Sequence, residues 1–404
     1  MKLPNFIDLK KCERPWDAWL LLIVCALMGI GVVMVYSASA VTALWDFQDE
    51  YFFLSRQLRF VGVGLVALFF GLKVDYRNYK RFAYPILIAT ILLLIAVAVG
   101  GTVVNNARRW IRVGGFNIQP SEIAKVTVVF FLAYSMSKKK TKMRSVMIGI
   151  VPHLILLMGL AGLLMLEPDL GSCLLLAGVM GCMLLYAGSN WLFLGAGVAM
   201  MAALGWFVIA NSNRMARIEA FLNPWEHAQD SAYQITQGFV SLGNGGMTGT
   251  GLGDGLGKLG FIPELHTDCI SAIIGEEFGF IGITVVILLF MMLAVRGYLI
   301  ALRANDDFGR LTAFGITTVL VMQAGINLAV VGGILPSKGF TLPFISYGGS
   351  SLIMCLFAIG VLLNISQGKE DPYEKMREEK EKRRIEEKLQ KRRERLMNKH
   401  FKQA

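Results

Sequence analysis

Residues 16–39 read WDAWLLLIVCALMGIGVVMVYSAS, a run of 24 with a single charge, Asp17, near its start. A helix rises about 1.5 Å per residue and a hydrocarbon core is about 30 Å thick, so about 20 apolar residues cross it. This stretch is long enough to span a membrane. No small-residue cleavage site followed by a polar chain ends it, so it reads as a retained span and not as a removed signal. Working outward, the same pattern recurs at Leu58–Val74, Ala83–Gly100, Ser121–Ser137, Ser145–Leu166, Asp169–Ala187, Trp191–Ala210, Cys269–Val295, Leu311–Leu335 and Phe344–Ile365. Ten such windows predict an all-α polytopic membrane protein. The 404 residues are 55% apolar and 17% charged, against about 45–50% and about 25% in soluble chains. Mean hydropathy is +0.55. Disordered, collagen-like and disulfide-scaffold classes are excluded. Cys25, Cys173, Cys182 and Cys355 lie inside apolar runs, and the cysteines show no metal-binding spacing.

Cations in short loops set the expected orientation. Lys2, Lys10, Lys11 and Arg14 precede the first window. Lys73, Arg77, Lys80 and Arg81 follow the second, the run Lys138–Arg144 follows the fourth, and Arg296, Arg303 and Arg310 surround the loop after the eighth. With ten spans all of these fall on one side, so both termini are expected in the cytoplasm. Residues 1–368 form the expected membrane domain, with one long extracellular loop at 211–268 between spans seven and eight. Residues 369–404 hold 14 Lys/Arg against 9 Asp/Glu and read as a basic cytoplasmic tail lying near anionic lipid or docking partners. The charge of +11 therefore points to membrane lipids and not to nucleic acid.

Several polar groups depart from this plan. Arg108, Arg109 and Arg112 sit on the outer side, where they either snorkel to headgroups beside Trp110 or bind a phosphorylated ligand, for which arginine is suited. Glu122 and Lys125 open the fourth window three residues apart on one helical face. They either pair with each other or place Lys125 on a phosphate with Glu122 holding it. In Glu167-Pro168-Asp169-Leu170-Gly171-Ser172, Asp169 is a capping candidate for the sixth span. Glu276 and Glu277 lie in the eighth window, where an ionisable group invites a cavity, a cation or a proton. The glycine-dense run 241–253 permits close backbone approach. A phosphate cradle and a re-entrant stretch both fit it, but the Gly-Lys-Ser/Thr of a nucleotide-binding loop is missing. Asp268, at the outer mouth of the eighth window, reads as a helix cap or as a carboxylate poised to act as a general base. His266 is a second candidate by chemistry.

Five segments together carry a resemblance. They are Arg108-Arg109-Trp110-Ile111 with Pro120–Lys125, then Glu167–Ser172, Gln234–Gly238 leading into the glycine run, Pro263–Asp268, and Leu342-Pro343-Phe344-Ile345-Ser346-Tyr347-Gly348-Gly349-Ser350-Ser351. In this order on ten spans, the chain from about Trp16 to Ser366 resembles the SEDS family of bacterial shape, elongation, division and sporulation proteins. Pro336-Ser337-Lys338-Gly339 resembles the division branch more than the elongation branch. Cys269 stands where an aromatic is common, and Gly238 replaces a frequent serine. The resemblance implies a peptidoglycan glycosyltransferase that polymerises lipid II into β-1,4-linked strands at the outer face of the cytoplasmic membrane, at the division septum. It implies a class B penicillin-binding transpeptidase and other division membrane proteins as partners. It places Asp268 as the catalytic residue, with Arg108, Arg109, Glu122, Lys125, Asp169, Gln237, His266, Lys338 and Ser346 at the substrate.

The chemistry is consistent with that role. A sugar 4-hydroxyl is a poor nucleophile, and a carboxylate can take its proton as it attacks C1 of the donor. Undecaprenyl diphosphate leaves well once its charge is neutralised, the role expected of Arg108, Arg109 and Lys125. A divalent cation could share that charge, but no ligand cluster dictates one. Ten spans with buried carboxylates also fit a lipid II flippase, the competing expectation.

Overall fold

The computed structural model of the chain describes residues 15–104, 107–113, 116–191, 195, 215–229, 232–258, 266–336 and 339–368. By contacts the chain divides into Trp16–Ser366 and a second unit of Met1–Pro15 with Gln367–Ala404. Nearly all of the second unit, the basic tail included, lies outside the described residues.

The first unit is mostly helical. Its elements are α1 (Ala18–Phe47), α2 (Phe52–Lys73), α3 (Tyr76–Arg81), α4 (Ala83–Gly100), β1 (Thr102–Val104), β2 (Ala107–Val113), β3 (Phe116–Ile118), α5 (Pro120–Lys138), α6 (Val151–Leu166), α7 (Leu170–Tyr186), α8 (Met215–Leu222), α9 (Tyr233–Gly245), α10 (Ile270–Arg303), α11 (Asp307–Val331) and α12 (Gly349–Ser366). A π-helical turn, Val146–Ile150, leads into α6.

Seven of the described helical segments are long and apolar enough to cross a membrane: α1, α2, α4, Val146–Leu166, α10, α11 and α12. The fourth expected window is the 19-residue α5, whose Glu122 and Lys125 lower its apolar character. The sixth is α7, only 17 residues long. The seventh, Trp191–Ala210, lies outside the described residues apart from Trp191 and Gly195.

Three expectations need correction. The fold is not purely α, because Thr102–Val104, Ala107–Val113 and Phe116–Ile118 form an antiparallel sheet of order β1-β2-β3. On β2 the exposed Arg108 and Arg112 fall on one face, and the half-buried Arg109 and Ile111 on the other. Second, the expected loop 211–268 contains two helices, α8 and α9. Third, residues 344–348 precede α12 as a turn and do not open the tenth span. Phe344 there has a left-handed φ of 67°, which stops a helix at that point.

Burial follows composition. Side chains of α5, α11 and α12 are buried nearly all round, as expected of helices at the centre of a bundle. Outer helices expose large apolar groups, among them Val66, Phe69 and Phe70 on α2, Leu92 and Val99 on α4, and Ile155 and Met158 on α6. These are the faces that meet lipid. Short connections place the start of α2, α5, α7, α10 and α12 at one end of the bundle. At the opposite end Asp17 caps α1 and takes Arg296 of α10 at 2.5 Å, while Asn364 of α12 accepts the Tyr76 N–H of α3.

Candidate active site

Asp268 lies in a turn, His266–Asp268, immediately before α10. Three elements hold that turn. The His266 ring sits 4.4 Å from the Phe53 ring of α2 and 5.4 Å from Tyr347. Tyr347 N–H donates to the His266 carbonyl at 2.9 Å. Gly339 comes so close that a Cβ there would lie 2.7 Å from Asp268 Oδ2, so only glycine leaves the carboxylate its place. Asp268 and Cys269 line a small cavity with Gln234 and Gly238 of α9 and Val330 and Val331 of α11. A half-buried carboxylate at the rim of a partly apolar cavity is suited to accept a proton.

Of the other expected site residues, several prove to brace the scaffold. Asp169 caps α7, taking Ser172 N–H at 3.0 Å and Ser172 Oγ–H at 2.6 Å. Ser346 is buried, and its hydroxyl accepts the Leu342 N–H at 2.8 Å. Lys125 Nζ lies 2.8 Å from Glu122 Oε1 and 3.0 Å from Gln323 Oε1, all three side chains being buried. A diphosphate contact at Lys125 would require opening this pair, so the pairing is what the structure shows. Gln237 is half-buried on α9, and its neighbours Gln234 and Gly238 are the ones that line the Asp268 cavity. Lys338 lies outside the described residues.

Strand geometry separates the arginines, since neighbouring side chains on β2 point to opposite faces. Arg109 Nε donates to the Glu167 carbonyl at 3.0 Å and Nη2 to the Pro168 carbonyl at 2.6 Å, tying the sheet to the α6–α7 turn. Arg108 and Arg112 are exposed and remain available for an anion. Beside Arg109, Glu167 is fully buried with neither carboxyl oxygen hydrogen-bonded. Burial first, and then the neighbouring Asp169 charge, push its pKa up to about 8, against the lowering effect of Arg109.

The glycine run docks on the backbone of α10, and the residues just past it hold a carboxylate of the same chain. Leu256 and Gly257 N–H donate to Glu276 Oε1 at 2.9 and 3.2 Å. Thr250 and Gly251 N–H donate to the carbonyls of Glu276 and Glu277 at 3.0 and 3.1 Å. These carbonyls are released because α10 kinks at Gly279, whose φ is 64°. In return, the Phe280 and Ile281 N–H groups donate to the carbonyls of Gly246 and Met247. Glu277 takes Ser37 Oγ–H of α1 at 2.5 Å and faces Lys258 Nζ at 3.6 Å. Both carboxylates, which suggested a transporter, thus have partners that hold the fold. Among the described residues no group of three or more His, Cys, Asp or Glu side chains converges.

Two arginines escaped the sequence reading. Arg56 and Arg59 are exposed on the first turns of α2. Arg56 lies over the Phe52 ring at 4.2 Å and reaches the Tyr347 hydroxyl. Their signal was faint, because α2 was expected to begin at Leu58 and only the fold brings its start onto Tyr347.

Comparison with known proteins places this arrangement. A family model for cell cycle proteins, FTSW_RODA_SPOVE, matches residues 18–371. A probable peptidoglycan glycosyltransferase FtsW from Geobacter metallireducens is 45% identical over 369 residues, covering 91% of this chain and 98% of that one. The stage V sporulation protein E of Bacillus subtilis is 42% identical over 356 residues, covering 87% and 97%. Among solved structures, a peptidoglycan synthase complex described as coordinating polymerization and crosslinking matches with TM-score 0.75 and 28% identity, over 88% of this chain and 99% of that one.

Proposed function

The chain belongs to the FtsW/RodA/SpoVE family of cell cycle proteins, and from that membership we propose the following reading of its site. It is a multi-pass membrane peptidoglycan glycosyltransferase that polymerises lipid II for cell division. Asp268 is the general base. It takes the proton of the acceptor 4-hydroxyl as that oxygen attacks C1 of the donor sugar, the C1–O bond to the diphosphate breaks, and configuration inverts from α to β. The observation that carries this reading is the Asp268 carboxylate at the rim of the α9–α11 cavity, pressed on by Gly339.

Neutralising the leaving diphosphate falls to exposed cations at the same end. Arg108 is supported by its free face on β2, with Arg112 beside it and Arg56 and Arg59 on α2. Arg109, Glu122, Lys125, Asp169 and Ser346 position the elements around the substrate, with His266 fixing the Asp268 turn. Gln237 and Lys338 are assigned to the substrate by family resemblance. The end holding Asp268 faces the outside, and the end holding Lys73, Arg77 and Lys138–Arg144 faces the cytoplasm, giving ten spans with both termini inside. A class B penicillin-binding transpeptidase is the proposed partner, supported by the likeness to a complex that joins polymerization to crosslinking. Septal localisation follows from the division role.

The test is Asp268→Ala in the purified full-length chain with its transpeptidase. Polymerisation of lipid II is expected to fall by at least about 10²-fold while lipid II binding persists. A flippase would instead keep whatever polymerisation the preparation shows and lose translocation in vesicles.

A further inference from the structure

Asn327, in the last turns of α11, is buried to 2% exposure, and nothing in the mechanism above uses it. All its polar atoms are engaged. Its Nδ2 donates to the Asp268 carbonyl at 2.9 Å and to the Phe340 carbonyl at 2.6 Å. Its Oδ1 accepts Ser271 Oγ–H of α10 at 2.9 Å. One side chain therefore joins the residue carrying the proposed base, the first turn of the helix behind it, and the segment 339–342 that presses on the base from the front. One turn earlier on the same face of α11, Gln323 Nε2 donates to the next carbonyl, that of Thr341, at 3.0 Å. The two amides grip consecutive peptide units of the segment that contains Gly339. Gln323 leads away from the base, to Lys125 and Glu122, whereas Asn327 reaches the backbone of Asp268 itself.

We infer that Asn327 is a positioning residue for the transfer reaction, acting through Asp268 by fixing the distance between the Asp268 carboxylate and Gly339. The inference rests on the reading of Asp268 as the base. An asparagine is required because two carbonyls face Nδ2 and one hydroxyl faces Oδ1. Aspartate has nearly the same shape but turns two donor contacts into acceptor–acceptor contacts. Losing the grip lets the turn before α10 drift, and misplacing a reacting group by about 1 Å costs about 10²-fold in rate.

The experiment compares Asn327→Asp and Asn327→Ser with Asp268→Ala and Gln323→Leu, in the full chain with its transpeptidase reconstituted in vesicles, using lipid II as substrate. For both Asn327 variants kcat is expected to fall about 10²-fold with KM within about 3-fold, measured well below the onset of melting, which the unpaired carbonyls and Ser271 hydroxyl are expected to lower. Gln323→Leu, which loosens the neighbouring peptide unit and the Lys125 contact but makes no change at Asp268, is expected to lose less than about 10-fold. Asn327→Ser guards against failure of the aspartate variant to fold. The inference is overturned if a folded Asn327 variant keeps kcat within about 3-fold of the parent. It is also overturned if the loss appears in KM, or if Gln323→Leu loses as much, since a merely structural brace would behave so. Full activity in Asp268→Ala would instead overturn the reading of the base. An inactive Asp268→Ala beside active Asn327 variants overturns the positioning role alone.

Discussion

At the scale of single residues, the buried charges around the site divide into paired and unpaired. Glu122 and Lys125 satisfy each other and Gln323. Breaking such a buried pair by removing one partner typically costs about 3–5 kcal/mol, because the other charge is left without compensation. Glu167 differs, since its carboxyl oxygens have no hydrogen-bond partner and its pKa is pushed up to about 8. The folded state therefore holds the proton more tightly than the unfolded chain, whose carboxyl titrates near 4.5. Stability from this group is full below about 4.5 and is lost as pH rises through about 8. The slope in that window is at most about 1.4 kcal/mol per pH unit. Glu167→Gln, which mimics the protonated acid, is expected to flatten the dependence and to raise the melting temperature above pH 8. Thermal melts of the two proteins across this range check it, and parallel curves would refute the assignment.

At the scale of elements, α10 does two jobs with one helix. Its long apolar part crosses the bundle, while its first turns carry Asp268 to the site. The kink at Gly279 separates the two. The glycine run repairs the broken hydrogen bonds in both directions, from Thr250 and Gly251 N–H and to the Gly246 and Met247 carbonyls. Gly279 combines a left-handed φ with a site where a Cβ would lie 2.4 Å from Gly249 N. Gly279→Ala is expected to destabilise by at least about 1–3 kcal/mol. It should also lower polymerisation, because the turn before α10 tilts with the repaired segment. Melting temperature and lipid II turnover of that variant measure both effects. The ribbon β1–β3 acts likewise as a connector, with Arg109 fastening it to the α6–α7 turn and Arg108 exposed on its other face.

At the scale of the whole molecule, opposite ends carry opposite tasks. One end gathers Asp268, the aromatic cluster of Phe53, His266 and Tyr347, and the exposed arginines. The other gathers Lys73, Arg77, Lys80 and the run Lys138–Arg144, together with the Asp17–Arg296 ion pair. Basic short loops favour the cytoplasmic side. With the native cysteines replaced, Asp49→Cys is expected to react with a membrane-impermeant maleimide on intact cells. Lys142→Cys is expected to react only after permeabilisation. Labelling of Lys142→Cys on intact cells would reverse the orientation and place Asp268 away from lipid II.

The class of the fold was legible in the linear chain because crossing a membrane is a local property. A window of about 20 apolar residues is helical wherever it sits, and cations beside it set its direction. The Asp268 turn was legible too, through its motif and its place at a helix mouth. The roles of the surrounding polar residues were not. Arg108 and Arg109 differ by which face of a strand each occupies, Leu256 just past the glycine run takes a carboxylate 20 residues away in the chain, and Asn327 takes carbonyls from two other segments. Such partnerships depend on the register between helices distant in sequence, which packing decides and no local pattern encodes.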